Sequence, residues 1–123
     1  MLVVLDKFKG TLSSAAANEA VVRGLLSALG GPACADIDAC ATSDGGDGFV
    51  DAFAAPLGLE RVRQTVRGPG GAPVVACWAR DAAAVPPTAF VELASASGLA
   101  LLPPDQRDPL RTSTYGTGQL IRA

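Results

Sequence analysis

The chain opens on a short apolar run, Leu2-Val-Val-Leu5, followed at once by a polar loop, Asp6–Leu12, and then by apolar residues at helical spacing. This succession constrains the fold more than any other feature, because it begins a second time further along. Leu2–Leu5 reads as a buried strand. Ser13 or Ser14 is placed to cap a helix. Ala17, Ala20, Val21, Gly24, Leu25 and Ala28 then recur at steps of three and four, which makes one apolar helical face. Gly30-Gly31-Pro32 stops that helix. Asp36–Ala41 is the next strand and Ser43-Asp-Gly-Gly-Asp-Gly48 the next loop. Phe49, Val50, Phe53 and Ala54 form the next helical pattern, ended by Pro56. Strand, loop and helix in that order, twice over, predict βαβ units and a parallel sheet.

The middle of the chain obeys a different period. Glu60–Arg67 alternates, with Val62 and Val66 on one face and Arg61, Arg63 and Arg67 on the other. Arg67-Gly-Pro-Gly-Gly-Ala72 is dense in turn residues, and Val74–Ala79 is a second β-like run, so the pair reads as an antiparallel hairpin. Thr88–Leu93 is a further strand. A loop from Ser95 to Tyr115 follows, broken by Pro103, Pro104 and Pro109, and a helical turn opens near Gly116-Thr-Gly118. The class is therefore α/β: a mixed, mostly parallel sheet with flanking helices and a β-hairpin insertion. The length suits one compact domain. A helix that stops about one turn after it starts is marginal, and a long structureless loop is uncommon inside a domain. Residues 1–123 are accordingly expected to be the N-terminal portion of a longer protein whose C-terminal segment is missing here.

Composition narrows the partners. With 10 basic and 12 acidic residues there is no strong net field, so nucleic acid and anionic membranes are disfavoured and a small molecule is favoured. The absence of histidine excludes His-based acid–base chemistry and a Cys/His zinc site for this chain. Cys34, Cys40 and Cys77 form no Cys-x-x-Cys pair, and each reads as a small buried hydrophobe in a reducing compartment. No stretch approaches the roughly 20 apolar residues of a membrane span. The expected location is the cytoplasm.

Three segments combine glycine, hydroxyl and charged residues, and each follows a strand. They are Asp6-Lys-Phe-Lys-Gly-Thr-Leu-Ser13, Ser43–Gly48 and Glu92-Leu-Ala-Ser-Ala-Ser-Gly98. If the strands are parallel, right-handed crossovers bring all three loops to one carboxyl edge, where open α/β sheets hold ligands. Lys9, with Gly10, Thr11 and Ser13, stands before a helix N-terminus and suits a phosphate or carboxylate; a capped helix with solvated lysines is the plain alternative. Asp44 and Asp47 suit Mg²⁺ coordination or the orienting of a substrate hydroxyl. They equally suit a turn in which Asp47 caps the next helix. A calcium loop of the EF-hand kind fails, because Ala55 stands where its bidentate Glu belongs. Ser95, Ser97 and Gly98 can donate to an anion, with Glu92 either a carboxylate ligand or a structural cap. Thr112-Ser-Thr-Tyr-Gly-Thr-Gly118 offers hydroxyls and glycine backbone at another helix start. Trp78 and the phenylalanines read as core.

Together these segments resemble the bacterial-type glycerate kinase family from end to end. Asp6–Ser13 is similar to the family's Asp-Ser-Phe-Lys-Gly-Ser/Thr-Leu-Ser, and Ser43–Gly48 to its Ala-Asp-Gly-Gly-Glu-Gly. Glu92–Leu99 is similar to Glu-Met-Ala-x-Ala-Ser-Gly-Leu, and Thr114–Ile121 to Thr-Tyr-Gly-Thr-Gly-Glu-Leu-Ile. Lys7, Asp47 and Gln119 depart from the family's Ser, Glu and Glu. The resemblance implies ATP-dependent phosphorylation of D-glycerate at the 2-hydroxyl, with Mg²⁺, on a larger two-domain Rossmann-like fold with a cleft between domains. It implies catalytic roles for Lys9, Asp44 and Asp47, with Asp44 also the metal ligand. Gly10, Thr11, Gly45 and Gly46 would hold the nucleotide, and Ser95, Ser97, Gly98, Thr114, Thr117 and Gly118 the substrate. The family's chains continue past the position of Ala123, so this chain alone is expected to have little kinase activity. The other reading is a non-catalytic α/β domain that binds an anion or regulates.

Overall fold

In the computed structural model, which describes residues 1–123 apart from the side chain of Cys34, the chain divides into two units, Met1–Asp44 and Gly45–Ala123. The first is the expected βαβ unit. Strand β1 (Leu2–Leu5) leads to helix α1 (Ser14–Ala28) and then to strand β2 (Asp38–Ala41). The strands pair in parallel, from Leu2 opposite Asp38 to Leu5 opposite Ala41, and α1 packs on both. Ser13 is the cap: its Oγ accepts from the Ala16 N–H at 3.2 Å. The α1 face that is buried differs from the apolar stripe of the sequence. Ser14, Ala17 and Asn18 are buried, whereas Ala20, Val21, Gly24 and Ala28 are exposed. The strand ends supply the reason, since their backbone groups need polar partners that apolar side chains cannot give.

In the second unit, helix α2 (Phe49–Ala54) precedes strands β3 (Glu60–Arg67), β4 (Pro73–Asp81) and β5 (Thr88–Val91). Helices α3 (Leu93–Ser97) and α4 (Tyr115–Arg122) complete it. The hairpin forms as expected, β3 running antiparallel to β4 from Glu60 opposite Arg80 to Arg67 opposite Pro73. Strand β5 then adds antiparallel to β4, not parallel to β1 or β2. The connection 82–87 explains this: a parallel neighbour needs a crossover of about a dozen residues or more, whereas a short turn returns antiparallel. Asp81 builds the turn, its Oδ1 accepting from the Ala83 and Ala84 N–H groups at 3.0 Å each. The expected loop after Ser95 is also more regular than its prolines suggest. Ser95–Ser97 is helical, and 3₁₀ turns follow at Leu99–Leu101 and Pro104–Gln106.

Each face of this three-stranded sheet carries its own core. On one, Val66 and Ala76, with Val74, Trp78 and Val91, pack against Ala96 of α3 and Leu120 of α4. On the other, Ala79, Cys77 and Phe90 pack against Val50, Ala54 and Phe49 of α2. Small residues at the contacts let the helices approach: Ala76, Ala79 and Ala96 are wholly buried. Arg61, on the α2 face, meets Asp51 of α2 at 3.1 Å. Trp78 thus takes the core position expected of it, but Phe8 and Cys40 are exposed; the corresponding reading for Cys34 lies outside the described residues. At the open end of the hairpin, Arg80 Nε donates to Glu60 Oε2 at 2.7 Å and lowers the Glu60 pKa, chiefly through that hydrogen bond. Whatever this exposed pair adds is present above the carboxyl's unfolded pKa and is lost as pH falls through the lowered folded one. Among the described residues no helix is long and apolar enough to cross a membrane.

Gly116 marks where α4 seats on β3. A Cβ there would lie 2.2 Å from the Arg67 carbonyl oxygen, whereas a Cβ on Gly118 would meet nothing within 4 Å. Gly116→Ala is therefore expected to destabilise the fold by about 1–3 kcal/mol or more. Gly118→Ala, at an open helical position, should be neutral or gain roughly 0.5–1 kcal/mol. Denaturant midpoints of the two variants check this. Equal effects would show that α4 does not seat on β3 in this way.

Candidate functional site

Because β1 and β2 are parallel, the segments that follow them leave from the same end of the ladder. One carries Lys9 and the other Asp44, so the first unit brings these two predicted residues to one edge by topology. The Lys9 segment is a closed turn. Phe8 N–H donates to the Leu12 carbonyl at 2.9 Å, and the Thr11 and Leu12 N–H groups donate back to the Phe8 carbonyl. The Thr11 hydroxyl donates to that same carbonyl at 3.0 Å, so both donors of Thr11 are engaged inside the turn. Lys9 and Gly10 are its exposed apex, and a Cβ on Gly10 would meet nothing within 4 Å. An anion could approach the backbone here. The first turn of α1 is a less open site than its sequence suggests, because Ser13 already caps it.

Two side chains on the buried face of α1 hold this edge together. Ser14 Oγ donates to the Leu5 carbonyl at 2.6 Å and accepts from the Thr42 N–H at 3.0 Å, bridging the residue that ends β1 and the one that follows β2. One turn on, Asn18 Nδ2 faces the carbonyls of Leu5, Ser14 and Cys40 at 3.3, 2.9 and 3.2 Å. Three carbonyls around one nitrogen fix the amide's orientation, since only the NH₂ end can donate. These two residues were not among the predicted site residues. Their signal was there: polar side chains four apart on a helix, with Ala17 between them on the same face.

The Gly-rich loop contains the boundary between the units, after Asp44. In the second unit Gly48 is the N-cap of α2, at φ +88, a left-handed conformation that glycine adopts without strain. The cap position itself is glycine and carries no side chain for this purpose. That part is taken from the far side of the sequence. Glu92 Oε1 accepts from the Gly48 N–H at 3.1 Å and Oε2 from the Val50 N–H at 3.0 Å, with Glu92 only 5% exposed. Asp44 and Asp47 are both exposed.

The remaining predicted residues also lie in the second unit. Ser97 Oγ and Thr117 Oγ1 are 2.7 Å apart, joining α3 to α4. Ser95 points inward, with the carbonyls of Cys77 at 3.0 Å and Glu92 at 2.9 Å as acceptors. Gly98 ends α3, its N–H donating to the Ala94 carbonyl. Thr114 is the N-cap of α4, and its carbonyl accepts from the Thr117 and Gly118 N–H groups. Gln119, which had no assigned role, accepts from the Arg67 N–H through Oε1 at 2.8 Å and so ties α4 to the end of β3. The third loop follows an antiparallel strand of a separate sheet. The parallel-strand argument therefore applies to the first two loops, and the Ser97–Thr117 pair belongs to the second unit.

Among the described residues no group of three or more His, Cys, Asp or Glu side chains is gathered so as to hold a cation. A lone carboxylate such as Asp44 fits Mg²⁺ bound jointly with phosphates, which this ion accepts with one or two carboxylates and retained waters. It does not fit a cation caged by protein alone.

Comparison with known proteins adds a direct line. The sequence profile of the glycerate kinase family matches residues 1–123. The chain is 40% identical over 123 residues to a glycerate kinase of Bacillus subtilis (strain 168), covering all of this chain and 31% of that protein. It is 38% identical over 122 residues to a glycerate 2-kinase of Escherichia coli (strain K12), covering 98% of this chain and 30% of that one. A crystal structure assigned to glycerate kinase 2 from Salmonella typhimurium LT2 superposes with a TM-score of 0.72 at 36% identity, over 98% of this chain and 31% of the other. The chain thus spans about a third of the length of these relatives.

The paired bridges of α1 make a prediction that needs no assay. Ser14→Ala leaves the Thr42 N–H without its acceptor, and Asn18→Ala removes the amide that the Leu5, Ser14 and Cys40 carbonyls share. Each should cost about 1–3 kcal/mol. Because both side chains meet the Leu5 carbonyl, the double variant should cost less than the sum by about 0.5 kcal/mol or more. A denaturation double-mutant cycle measures this, and strictly additive costs would mean that the two bridges are independent.

Proposed function

The chain belongs to the glycerate kinase family, and on that premise we propose that the protein carrying it transfers the terminal phosphate of ATP to the 2-hydroxyl of D-glycerate. The observation that carries the reading is the parallel β1–β2 ladder, from one end of which both the Lys9 turn and the segment with Asp44 depart. ATP and Mg²⁺, when bound, supply the phosphoryl group and neutralise charge on the phosphates. Asp44 would hold the cation, and Gly10, Thr11, Gly45 and Gly46 the nucleotide. Open space beside Gly10 and Gly45 supports close backbone approach by phosphate there. Thr11 would contribute through its hydroxyl oxygen as acceptor, its donors being engaged in the turn.

The chain's own residues then divide the work. Lys9, exposed at the apex of its turn, pairs with an anionic oxygen of phosphate or of the glycerate carboxylate. Asp47 orients the reacting hydroxyl and accepts hydrogen-bonding from it. Ser97 and Thr117 share one short hydrogen bond, which leaves one hydroxyl hydrogen of the pair for a substrate oxygen, with Gly98, Thr114 and Gly118 around it. Ser95, whose hydroxyl is directed to the Cys77 and Glu92 carbonyls, would offer the substrate its oxygen as an acceptor.

A coupled ADP-release assay on the full-length protein tests the reading, with D-glycerate as substrate and phosphorus NMR to distinguish 2- from 3-phosphoglycerate. Glycerate-dependent ADP formation is expected; a protein that binds anions without turnover would be the non-catalytic domain instead. Lys9→Ala should lower kcat/KM by about tenfold or more with the thermal midpoint nearly unchanged. Asp44→Asn should cut kcat severely with the fold intact, and Asp47→Asn should reduce it less. An Asp44→Asn enzyme with wild-type turnover would remove Asp44 from the chemistry.

A further inference from the structure

Glu92 is a buried carboxylate whose two oxygens are both engaged by backbone. Neither donor is close in sequence: the Gly48 and Val50 N–H groups lie 44 and 42 residues away. These are the opening amides of α2, which has no side-chain cap of its own. Glu92 is at the same time the residue that follows β5 and stands at the N-cap position of α3. The two helices lie on opposite faces of the β3–β4–β5 sheet, α2 against Ala79 and α3 against Ala76. One residue therefore fixes the start of α2, directly after Asp47, to the start of α3, which carries Ser95 and Ser97.

A carboxylate suits this arrangement. The two N–H groups meet separate oxygens, Oε1 and Oε2, and an amide in the same pose would present one acceptor and one NH₂ donor. A buried anion facing the first amides of a helix is also stabilised by the helix dipole. Without it, the buried Val50 N–H and the half-buried Gly48 N–H lose their partner, a loss that costs more than a surface contact.

We infer that Glu92 is a positioning residue for phosphoryl transfer, holding the Gly48–Val50 backbone so that Asp47 keeps its place relative to the Ser97–Thr117 hydroxyl pair. This rests on the kinase reading above for its catalytic half. Glu92 touches neither substrate in this role. It acts by limiting where the Gly-rich loop can go, and misplacement of a reacting group by an ångström is enough to slow an enzyme substantially.

The test uses the full-length protein and the Glu92→Gln variant, which preserves size and removes one acceptor. In Glu92→Gln, kcat per folded molecule should fall about tenfold or more, while KM for glycerate and for ATP stays within about twofold. Amide hydrogen exchange at Gly48 and Val50 should quicken by about tenfold or more relative to β3 and β4. A Glu92→Ala variant that folds should regain part of its kcat with added formate, which can fill the vacated place, and not with chloride. If Glu92→Ala does not fold, Glu92→Gln decides alone. Wild-type kcat in folded Glu92→Gln overturns the inference, as does unchanged exchange at both amides. A wild-type protein without glycerate-dependent turnover overturns the kinase reading, and the exchange result then still judges the positioning itself.

Discussion

Backbone groups at strand ends have to find partners once they are buried, and in this chain side chains from neighbouring helices meet that need. Ser14 and Asn18 do so where β1 and β2 end. Glu92, which follows β5, does so for the first turn of α2, and Gln119 for the N–H of Arg67 at the end of β3. Each of these polar residues sits where a purely packing-driven fold would place an apolar one. Removing Ser14, Asn18 or Glu92 would leave buried or half-buried backbone groups short of a partner, so their positions restrict the loops that begin there. The segments with Lys9, Asp44 and Asp47 inherit their placement from these contacts.

The same economy shapes the second unit. Its sheet has three strands and two covered faces, so the helices must come close on both sides, and alanine at 76, 79 and 96 makes room for them. Gly116 carries this furthest, where α4 lies against the Arg67 carbonyl. A scaffold packed with small residues leaves little slack. The Ser97–Thr117 hydroxyl pair is held between α3 and α4, so its geometry is as rigid as the packing of those two helices.

The carboxylates divide along the same lines. Glu92 is buried and wholly engaged by backbone, which makes it a structural anion, while Asp44 and Asp47 are exposed on the Gly-rich loop. Sequence alone treats the three as similar candidates for a ligand or a cap. Burial separates them. A buried carboxylate must have its partners built in, whereas an exposed one is within reach of a phosphate-borne cation or a substrate hydroxyl.

What the sequence by itself determined was local and periodic. The β1–α1–β2 succession, the Ser13 cap, the hairpin around Gly68–Gly71 and the position of α2 all follow from spacing, turn residues and stop signals within a dozen or so residues. The family motifs were legible for the same reason, as short runs of glycine, hydroxyl and charge. Tertiary structure decided the rest. It directed β5 to the hairpin, turned α1 so that Ser14 and Asn18 face inward, and brought Glu92 to the first amides of α2. None of those outcomes has a local signature, because each depends on which distant backbone group lacks a partner once the chain has closed around it.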